Sequence, residues 1–410
     1  MNLPLDSVCQ KESQIQAVLT RLLAYCRSEN WSGYDPYDAL NSRIIQSLPF
    51  LNSRIPQLVL TQALKRSPIN LRPLLQVPKT QNPKAIALFL IAFLRLEETE
   101  PGRYQSDIQW MVEQLVASRS KESPHWCWGY SFPWQGRHVV VPRGAANLVC
   151  TTFVARALLD CYERHPDREL LAMAASAAEY IHELYWQNGK SAGFSYPLPS
   201  LHSQIHNANF LAAALLCQVY AHTGEKKFLE PALDAARYSA SKQQPDGSWY
   251  YGEAKSQHWI DNFHTGYNLS ALRQIDSSLS SDEFEANIRK GFGYYRAQFF
   301  REDGAVKYFH DRAYPVDAHC VAQSILTLLE FQHLDAGNLR LGFEVFQWAA
   351  RHMWDERGFF YYRVLRCCTV RTSYMRWSQA WMFLALAALR REISFAGKHL
   401  PQAEAAAVGQ

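Results

Sequence analysis

Residues 236–272, ARYSASKQQPDGSWYYGEAKSQHWIDNFHTGYNLSAL, decide the fold of this chain. An amphipathic helix ends within this stretch, Pro-Asp-Gly makes a tight turn, and aromatic residues follow the turn. A polar loop then leads into a second helix that is more uniformly apolar. Gly247 suits the turn because glycine adopts positive φ without steric cost. The stretch therefore predicts one helical hairpin whose connecting loop is rich in aromatic and polar side chains.

The same order of features recurs along the chain. Four units are clear, with their loop glycines at intervals of 54, 57 and 54 residues, and two earlier units are looser. A repeat of this length is one helical hairpin with its loops. Six units predict an all-α fold, an (α/α)6 toroid of six helical hairpins, whereas an open α-solenoid that binds protein is the alternative. The loop glycines, in chain order, are Gly33, Gly129, Gly193, Gly247, Gly304 and Gly358.

The repeat also predicts boundaries and a polarity for the ring. We expect a single domain over residues 1–395, a helical insertion around residues 56–66, and a frayed C-terminal tail over 396–410. The first helix of each unit is charged on one face and should be outer, and the second should be inner. All glycine-aromatic loops and all N-termini of inner helices then lie at one end of the ring. Helix dipoles place partial positive charge there, which favours an anionic or hydroxyl-rich ligand.

The composition excludes several classes of protein. The net charge is only +4 over 410 residues and no Lys/Arg run occurs, so a nucleic-acid partner is not expected. Nine cysteines are scattered without a CxxC, which predicts a reducing cytoplasm and neither a disulfide framework nor a metal site. Signal-peptide, transmembrane, nucleotide-loop, HExxH and GxSxG patterns are all absent. We therefore expect no cofactor, a cytoplasmic location, and strands confined to HVVV near residues 138–141.

Histidines and carboxylates gather where the inner helices are predicted to begin. Asp261 and His264 stand three residues apart, which puts both on one face of a helix's first turn. His206 and His319 occupy the corresponding loops of the neighbouring units. Such a group suits acid/base chemistry, namely proton abstraction, glycosidic cleavage or sugar epimerisation. We predict all four as catalytic residues, while a helix-capping role is the alternative for Asp261.

Further residues of the same loops are predicted to bind substrate. Trp249, Tyr250 and Tyr251 would form a platform for a sugar ring, although Trp249 alone could equally pack between neighbouring helices. Arginine forks bind carboxylate or phosphate groups, so the loop arginines would hold an acidic group unless they are merely solvated. The remaining predicted binding residues are Glu253, His258, Arg143, Arg371, Arg376, Asp35, Asp38 and Asp317.

Three segments together resemble the bacterial VpsJ-type cell-surface polysaccharide biosynthesis proteins. These segments are YDPYDALNSR (34–43), PDGSW (245–249) with HWIDNFHTGYNL (258–269), and RWSQAWMFLALA (376–387). The resemblance covers roughly residues 30–392, and its most specific part is residues 258–269. QPDGSW also resembles squalene-cyclase and prenyltransferase toroids, but the acidic DxDD motif of the triterpene cyclases is missing. The last repeat resembles N-acylglucosamine epimerases and six-hairpin glycosidases.

The resemblance implies an (α/α)6 toroid with a role in exopolysaccharide or capsule biosynthesis. The expected activity is that of a carbohydrate-active enzyme on a nucleotide- or lipid-linked sugar or an oligosaccharide. Epimerase, hydrolase and lyase reactions stay open. Two other functions also stay open: a noncatalytic scaffold of the synthesis machinery, and an isoprenoid-handling, squalene-cyclase-like protein. The expected partner is a sugar or lipid-linked glycan, and peripheral association with a membrane is compatible with the sequence.

Overall fold

The structure, a computed structural model, describes residues 5–48, 53–136 and 139–408, with side chains described over 8–48, 53–136 and 139–397. Within these ranges, twelve helices form six hairpins, and two further helices lie in the first hairpin. The outer helices are α1 (Leu5–Ser28), α5 (Gln105–Ala117), α7 (Arg168–Glu183), α9 (Leu229–Ala240), α11 (Glu285–Phe299) and α13 (Asn338–His352). The inner helices are α4 (Pro83–Glu97), α6 (Leu148–Arg164), α8 (His206–Thr223), α10 (Asn262–Leu279), α12 (Ala318–Glu330) and α14 (Ala380–Val408).

The inner helices close into a ring. Each one packs against the next along the chain, and α14 returns to pack against α4. The outer helix of the first unit, α1, also packs against α14, so the first and last units share one interface. The closed contact between the ends of the chain excludes the open solenoid. The predicted (α/α)6 toroid is confirmed.

Burial explains which helix of each pair is inner. In α4 every residue from Pro83 to Leu94 is buried, because this helix has neighbours on all sides. In the outer helix α13 the buried residues fall on one face and charged residues such as Arg340 and Glu344 lie on the other. A helix that is apolar all round is stable only when it is enclosed, and the ring provides that enclosure.

Three of the glycine turns, at Gly247, Gly304 and Gly358, pack their repeat onto the next outer helix. Gly247 has φ +97°, and a Cβ there would lie 2.4 Å from the carbonyl oxygen of Lys290 in α11. Gly358 has the same φ, and its Cβ would lie 2.8 Å from the carbonyl oxygen of Arg21 in α1. Both the backbone conformation and the close approach require glycine. The repeat that identifies the fold is therefore a packing contact between successive hairpins, and the last one closes the ring.

Side chains cap the inner helices at the common end of the ring, which we call the mouth. Asn82, Asn147, Asp261 and Asp317 each accept a hydrogen bond from a backbone N–H in the first turn of α4, α6, α10 and α12. Such a cap contributes about 1 kcal/mol to helix stability. The capping role considered for Asp261 is thus real, and it orients the carboxylate at the mouth.

The expectation that strands are confined to residues 138–141 is wrong. Val140–Val141 (β2) does pair with Trp134–Gln135 (β1), while His138 lies outside the described residues. Short antiparallel strands also line other loops, with two to four residues each, too few for an alternating pattern to reveal them. They are β3 (Tyr185–Asn188) with β4 (Ser191–Phe194), β6 (Trp354–Asp355) with β7 (Phe359–Phe360), and a sheet of β5 (Val316–Asp317), β8 (Arg363–Val364) and β9 (Thr369–Val370) in the order β5-β8-β9.

The insertion in the first hairpin lies beside the mouth. It contains α2 (Arg43–Gln46) and α3 (Arg54–Arg66), close to the helix predicted at residues 56–66. The helix α3 packs against β1 and against the 3-10 turn Asp38–Asn41. No helix in the described part of the chain is both long and apolar enough to cross a membrane.

Candidate functional site

Five tyrosines surround the mouth, and each keeps part of its surface exposed. Burial raises the pKa of Tyr251 well above its usual value, and the nearby Tyr196 and the Asp261 carboxylate add to the shift. Burial likewise raises the pKa of Tyr196 to about 12. The phenols of Tyr196 and Tyr251 therefore stay protonated at neutral pH, and each can donate and accept hydrogen bonds. The five are Tyr37, Tyr130, Tyr196, Tyr251 and Tyr308.

Asp261 and His264 form a hydrogen-bonded pair at the start of α10. His264 Nδ1 lies 2.7 Å from Asp261 Oδ2, and Asp261 Oδ1 accepts the backbone N–H of His264 at 3.0 Å. The indole of Trp259 donates to Asp261 Oδ2 at 3.1 Å. Asp261 is 3% exposed, whereas the His264 side chain is 21% exposed. With Nδ1–H donated to the carboxylate, the Nε2 lone pair of His264 is left free to accept a proton.

A small polar cavity of about 10 Å³ lies beside this pair, enough for about one water molecule or one hydroxyl group. Two amide oxygens of its wall, Asn207 Oδ1 and Asn268 Oδ1, are buried without a hydrogen-bond partner. Unpaired buried acceptors are costly unless a donor fills the site. The cavity thus suits a hydroxyl-bearing ligand, and its wall comprises Asn207, Trp249, Tyr250, Tyr251, Trp259, Asp261, His264, Thr265 and Asn268.

His319 lies deeper than His264, on the other side of the Phe263 ring. The centroid of the Phe263 ring lies 4.0 Å from that of the His264 ring and 4.5 Å from that of the His319 ring. The Tyr267 hydroxyl lies 2.7 Å from His319 Nε2, while His319 Nδ1 is buried without a partner. Burial lowers the pKa of His319 well below its usual value, with help from the charges of Lys84 and Arg376. His319 is therefore a neutral imidazole beneath the surface of the mouth.

Lys84 forms the floor of the mouth. Its ammonium nitrogen lies 3.9 Å from the ring centre of Phe153 and 5.4 Å from those of Tyr267 and Trp381. Burial lowers the pKa of Lys84 well below its usual value, and the nearby Arg376 lowers it further. The three rings also pack on one another, so aromatic side chains surround Lys84 below the mouth.

The predicted rim carboxylates are all engaged in pairs. Arg376 holds Asp35 through two hydrogen bonds of 2.7 and 2.8 Å, and both side chains are 5% exposed. Asp38 accepts a hydrogen bond from Arg72 Nε at 2.7 Å, and this pair is almost fully buried. Asp317 accepts one hydrogen bond from the Arg363 guanidinium at 2.7 Å and another from the indole N–H of Trp377 at 2.9 Å. The partners are Arg376–Asp35, Arg72–Asp38 and Arg363–Asp317.

His206 lies beside Tyr251, whose carbonyl oxygen accepts its backbone N–H at 3.2 Å, but its imidazole Nδ1 is buried without a hydrogen-bond partner. It begins α8, but the charges that act on it are those of Glu253 and Lys242, toward the outer helices. Burial lowers the pKa of His206 to about 4. Asn207, the next residue, lines the cavity beside His264 instead.

The predicted sugar platform is divided in two. Trp249 is 2% exposed, and its indole N–H donates to the carbonyl oxygen of Ser239 at 3.1 Å. It therefore packs between helices, which was the alternative to a role in the sugar platform. Tyr251 stacks on Trp259 at the mouth, with ring centroids 4.5 Å apart. Tyr250 stacks on His258 at 4.4 Å, and both rings line an open groove of about 630 Å³ on the outer rim. All three residues also contribute to the wall of the small cavity beside His264, where the Tyr251 ring centroid lies 4.7 Å from that of His264.

The three predicted anion-binding arginines lie apart. Arg376 is buried with Asp35, whereas Arg143 and Arg371 are exposed, with Arg371 over the Tyr361 ring at 5.5 Å. Glu253 is exposed and accepts the Tyr238 hydroxyl at 2.8 Å. Binding of an acidic group by Arg143 or Arg371 stays a prediction.

The sequence reasoning missed Lys84 and most of the tyrosines. A signal for Lys84 was present, because it is the one charged residue among the apolar residues that open α4. No comparable signal marks Tyr130 or Tyr196, whose loops differ in length and composition. Their convergence depends on how far each loop reaches across the mouth.

No protein-family model and no curated protein matches the sequence. Solved structures with the same fold do match. A GH76 α-mannanase from Bacteroides thetaiotaomicron has a TM-score of 0.61 at 10% identity, covering 78% of this chain and 89% of its own. A cellobiose 2-epimerase from Bacillus thermoamylovorans has a TM-score of 0.58 at 12% identity, covering 77% of this chain and 90% of its own. An unsaturated glucuronyl hydrolase from Streptococcus agalactiae has a TM-score of 0.59 at 10% identity, covering 96% of this chain and 93% of its own.

These likenesses confirm the six-hairpin toroid that the sequence predicted. All three neighbours are sugar-processing enzymes by name, but at identities of 10–12% they establish the fold of this chain and not its activity. The VpsJ-type assignment stays a prediction.

Proposed function

We propose that this protein is a carbohydrate-active enzyme of exopolysaccharide or capsule biosynthesis that moves a proton on a sugar bound at the mouth. The observation that carries the proposal is the Asp261–His264 pair, with its free Nε2 beside a cavity lined by unpaired amide oxygens. Carboxylate-oriented imidazole is the usual general base of enzymes near neutral pH.

The engaged carboxylates favour proton transfer over hydrolysis. Glycoside hydrolysis ordinarily requires two carboxyl groups, one to protonate the leaving oxygen and one to activate water or attack carbon. Among the described residues of the mouth, Asp35, Asp38 and Asp317 are each tied to an arginine, and Asp261 accepts three hydrogen bonds. Of the reactions left open by the sequence, we therefore propose an epimerase- or lyase-type reaction that starts with removal of a proton.

The proton would come from a carbon next to a carbonyl or carboxyl group, such as C2 of a reducing sugar or C5 of a uronic acid. His264 Nε2 would accept it while Asp261 stabilises the resulting imidazolium. The protonated phenols of Tyr251 and Tyr308 would hold sugar hydroxyls. The N-termini of the inner helices would favour negative charge developing on the substrate oxygen. A uronic acid keeps its carboxyl group when it is linked at C1, so it fits a nucleotide- or lipid-linked sugar, whereas the C2 reaction requires the free reducing end of an oligosaccharide.

The packed interior bears on the isoprenoid alternative. An isoprenoid chain would require a deep apolar cavity, whereas Phe153, Tyr267, Trp381 and Lys84 fill the space beneath the mouth. This packing supports the carbohydrate proposal. A noncatalytic scaffold is the remaining competitor, and the following experiment separates the two.

The test is deuterium exchange into sugars, followed by NMR in D₂O. The panel contains reducing disaccharides and uronate-containing oligosaccharides, so the labelled carbon identifies the reaction. His264→Gln should lower the exchange rate by at least about 100-fold, the usual contribution of a general base, with an unchanged thermal melt. His222→Gln is the matched control and should exchange like the wild type, because His222 is exposed near the C-terminal end of α8, away from the mouth, and pairs there with Glu163.

Two results would contradict the proposal. If folded His264→Gln exchanges protons as fast as the wild type, the general base lies elsewhere. If the wild type binds glycans but exchanges no proton in any of them, the scaffold function is supported instead. The biosynthetic context has its own test, since cells that carry only His264→Gln should lose surface polysaccharide while containing normal amounts of the protein.

A further inference from the structure

Exposed apolar side chains concentrate in the insertion between α1 and α4. Among the described side chains, eight large apolar residues are exposed, and six of them fall within residues 44–74. Single exposed apolar residues are normal, but a cluster of them marks an interaction surface. The six are Ile44, Ile55, Val59, Ile69, Leu71 and Leu74.

The helix α3 turns an apolar stripe toward solvent. Ile55 is 73% exposed and Val59 is 62% exposed, and their spacing of four residues puts them on one face. The buried residues of this helix, Thr61 and Leu64, lie on the face that packs against the protein. A surface helix normally buries its apolar stripe, so α3 has two apolar faces and only one of them is covered.

The same insertion is basic and contains no acidic residue. From Ala39 to Leu96 the sequence has no Asp or Glu. Arg72 is occupied by Asp38, but Arg43, Arg54 and Arg66 are exposed. A surface that combines exposed aliphatic side chains with uncompensated arginines is complementary to an anionic lipid bilayer, which offers an apolar phase beneath a negative surface.

We propose that the insertion is a membrane-docking surface, formed by the six exposed apolar residues and Arg43, Arg54 and Arg66, which binds anionic phospholipid bilayers. The apolar side chains enter the acyl boundary and the arginines contact lipid headgroups. These residues lie on the helices α2 and α3 and in loop residues 69–74. This arrangement suits a fluid lipid phase, because lipid does not require the shape complementarity of a protein partner.

The docking surface lies beside the mouth. The Lys65 ammonium on α3 donates to the Tyr37 hydroxyl at 2.5 Å and lies 4.1 Å from the centre of that ring. Tyr37 in turn contacts Trp377 at the mouth, with ring centroids 5.6 Å apart. A glycan carried on a membrane lipid would then be held close to the His264 pair. That consequence rests on the proposed function, whereas membrane binding itself does not.

Flotation of the full-length chain with lipid vesicles tests the inference. The wild type should bind vesicles of phosphatidylcholine with 30% phosphatidylglycerol, and bind pure phosphatidylcholine at least about tenfold more weakly. Raising the salt from 0.1 to 0.5 M should release most of the bound protein, because screening weakens the attraction of the arginines. The exchange assay described above is independent of vesicles, so failure of either proposal leaves the other testable.

Two variants separate the apolar and basic contributions. Ile55→Ser/Val59→Ser/Leu74→Ser and Arg54→Gln/Arg66→Gln should each lower the vesicle affinity at least about tenfold. All five residues are exposed, so both variants should melt like the wild type.

A third variant is the matched control. Val116→Ser removes an exposed valine from α5, outside the insertion, and should leave vesicle binding unchanged. Absence of wild-type binding to anionic vesicles, or equal binding by the apolar triple variant, would overturn the inference. So would a wild-type dimer in sedimentation that the triple variant abolishes, because a second copy of the chain would then cover this surface.

Discussion

Breaking the Asp35–Arg376 pair should destabilise the ring more than any exposed ion pair does. The two residues are 341 positions apart, and their bidentate contact joins the first loop to the start of the last inner helix. Asp35→Asn keeps the shape of the side chain and removes its charge. The Arg376 guanidinium would then stay buried without a counter-ion.

The expected magnitude follows from this burial. Removing one partner of a buried, hydrogen-bonded pair costs about 3–5 kcal/mol of folding free energy. An unfolding entropy of about 2.1 cal/mol/K per residue means that a chain of this length loses roughly 1 °C of Tm per kcal/mol. Asp35→Asn should therefore lower Tm by about 3–6 °C, partly offset because Arg376 still contacts the rings of Tyr130 and Trp377.

A double-mutant cycle measured by thermal melts is the assay. Arg376→Met alone should also destabilise, since it leaves the Asp35 carboxylate buried with the Tyr37 N–H as its remaining contact. The double variant should recover part of the combined loss, because neither charge is then left unpaired. Asp107→Asn is the control. It breaks a bidentate pair with Arg27, which is half exposed, and should cost under about 1 kcal/mol.

A melt of Asp35→Asn within about 1 °C of the wild type would contradict the prediction, and so would single losses of stability that simply add in the double variant. Either result would mean that water reaches Arg376 and solvates it, so that the pair contributes no more than a surface contact.

Two further predictions concern the floor of the mouth and the glycine turns. Lys84→Met should raise Tm at pH 7, because the folded chain resists protonation of this buried amine while the unfolded chain binds the proton up to about pH 10.5. Wild-type stability should accordingly rise relative to the variant by up to about 1.4 kcal/mol per pH unit as the pH rises from 7 toward 10, and identical pH profiles would exclude the shift. Gly358→Ala should lower Tm more than Gly102→Ala: both glycines have positive φ, but a Cβ at 358 would lie 2.8 Å from the Arg21 carbonyl oxygen and one at 102 meets nothing within 4 Å. Equal losses in the two variants would show that φ strain alone, and not packing on α1, makes glycine necessary at 358.

The amino-acid sequence by itself determined the ring. Gly-aromatic turns at near-constant spacing, each followed by an apolar helix, can bury their apolar faces only by stacking hairpins, and six hairpins close. The i, i+3 spacing of Asp261 and His264 likewise determined their hydrogen-bonded contact, because one helical turn fixes that geometry without help from the rest of the chain.

Only the tertiary structure decided which distant side chains meet. His206 occupies the same position in its repeat as other residues at the mouth, yet the neighbouring Glu253 and Lys242 are the charges that act on it. The sequence predicts that Arg376 binds an anionic ligand, whereas in the structure Arg376 is paired with Asp35 from the other end of the chain.

The physical reason is the range of the interactions. Helical periodicity and turn chemistry act over a few residues and leave a readable pattern. The pairing of a buried charge, the convergence of tyrosines from separate loops, and the exposed apolar face of α3 depend on contacts between segments tens to hundreds of residues apart. Such contacts are fixed only when the ring closes, because closure determines which face of each segment is enclosed and which is left to solvent.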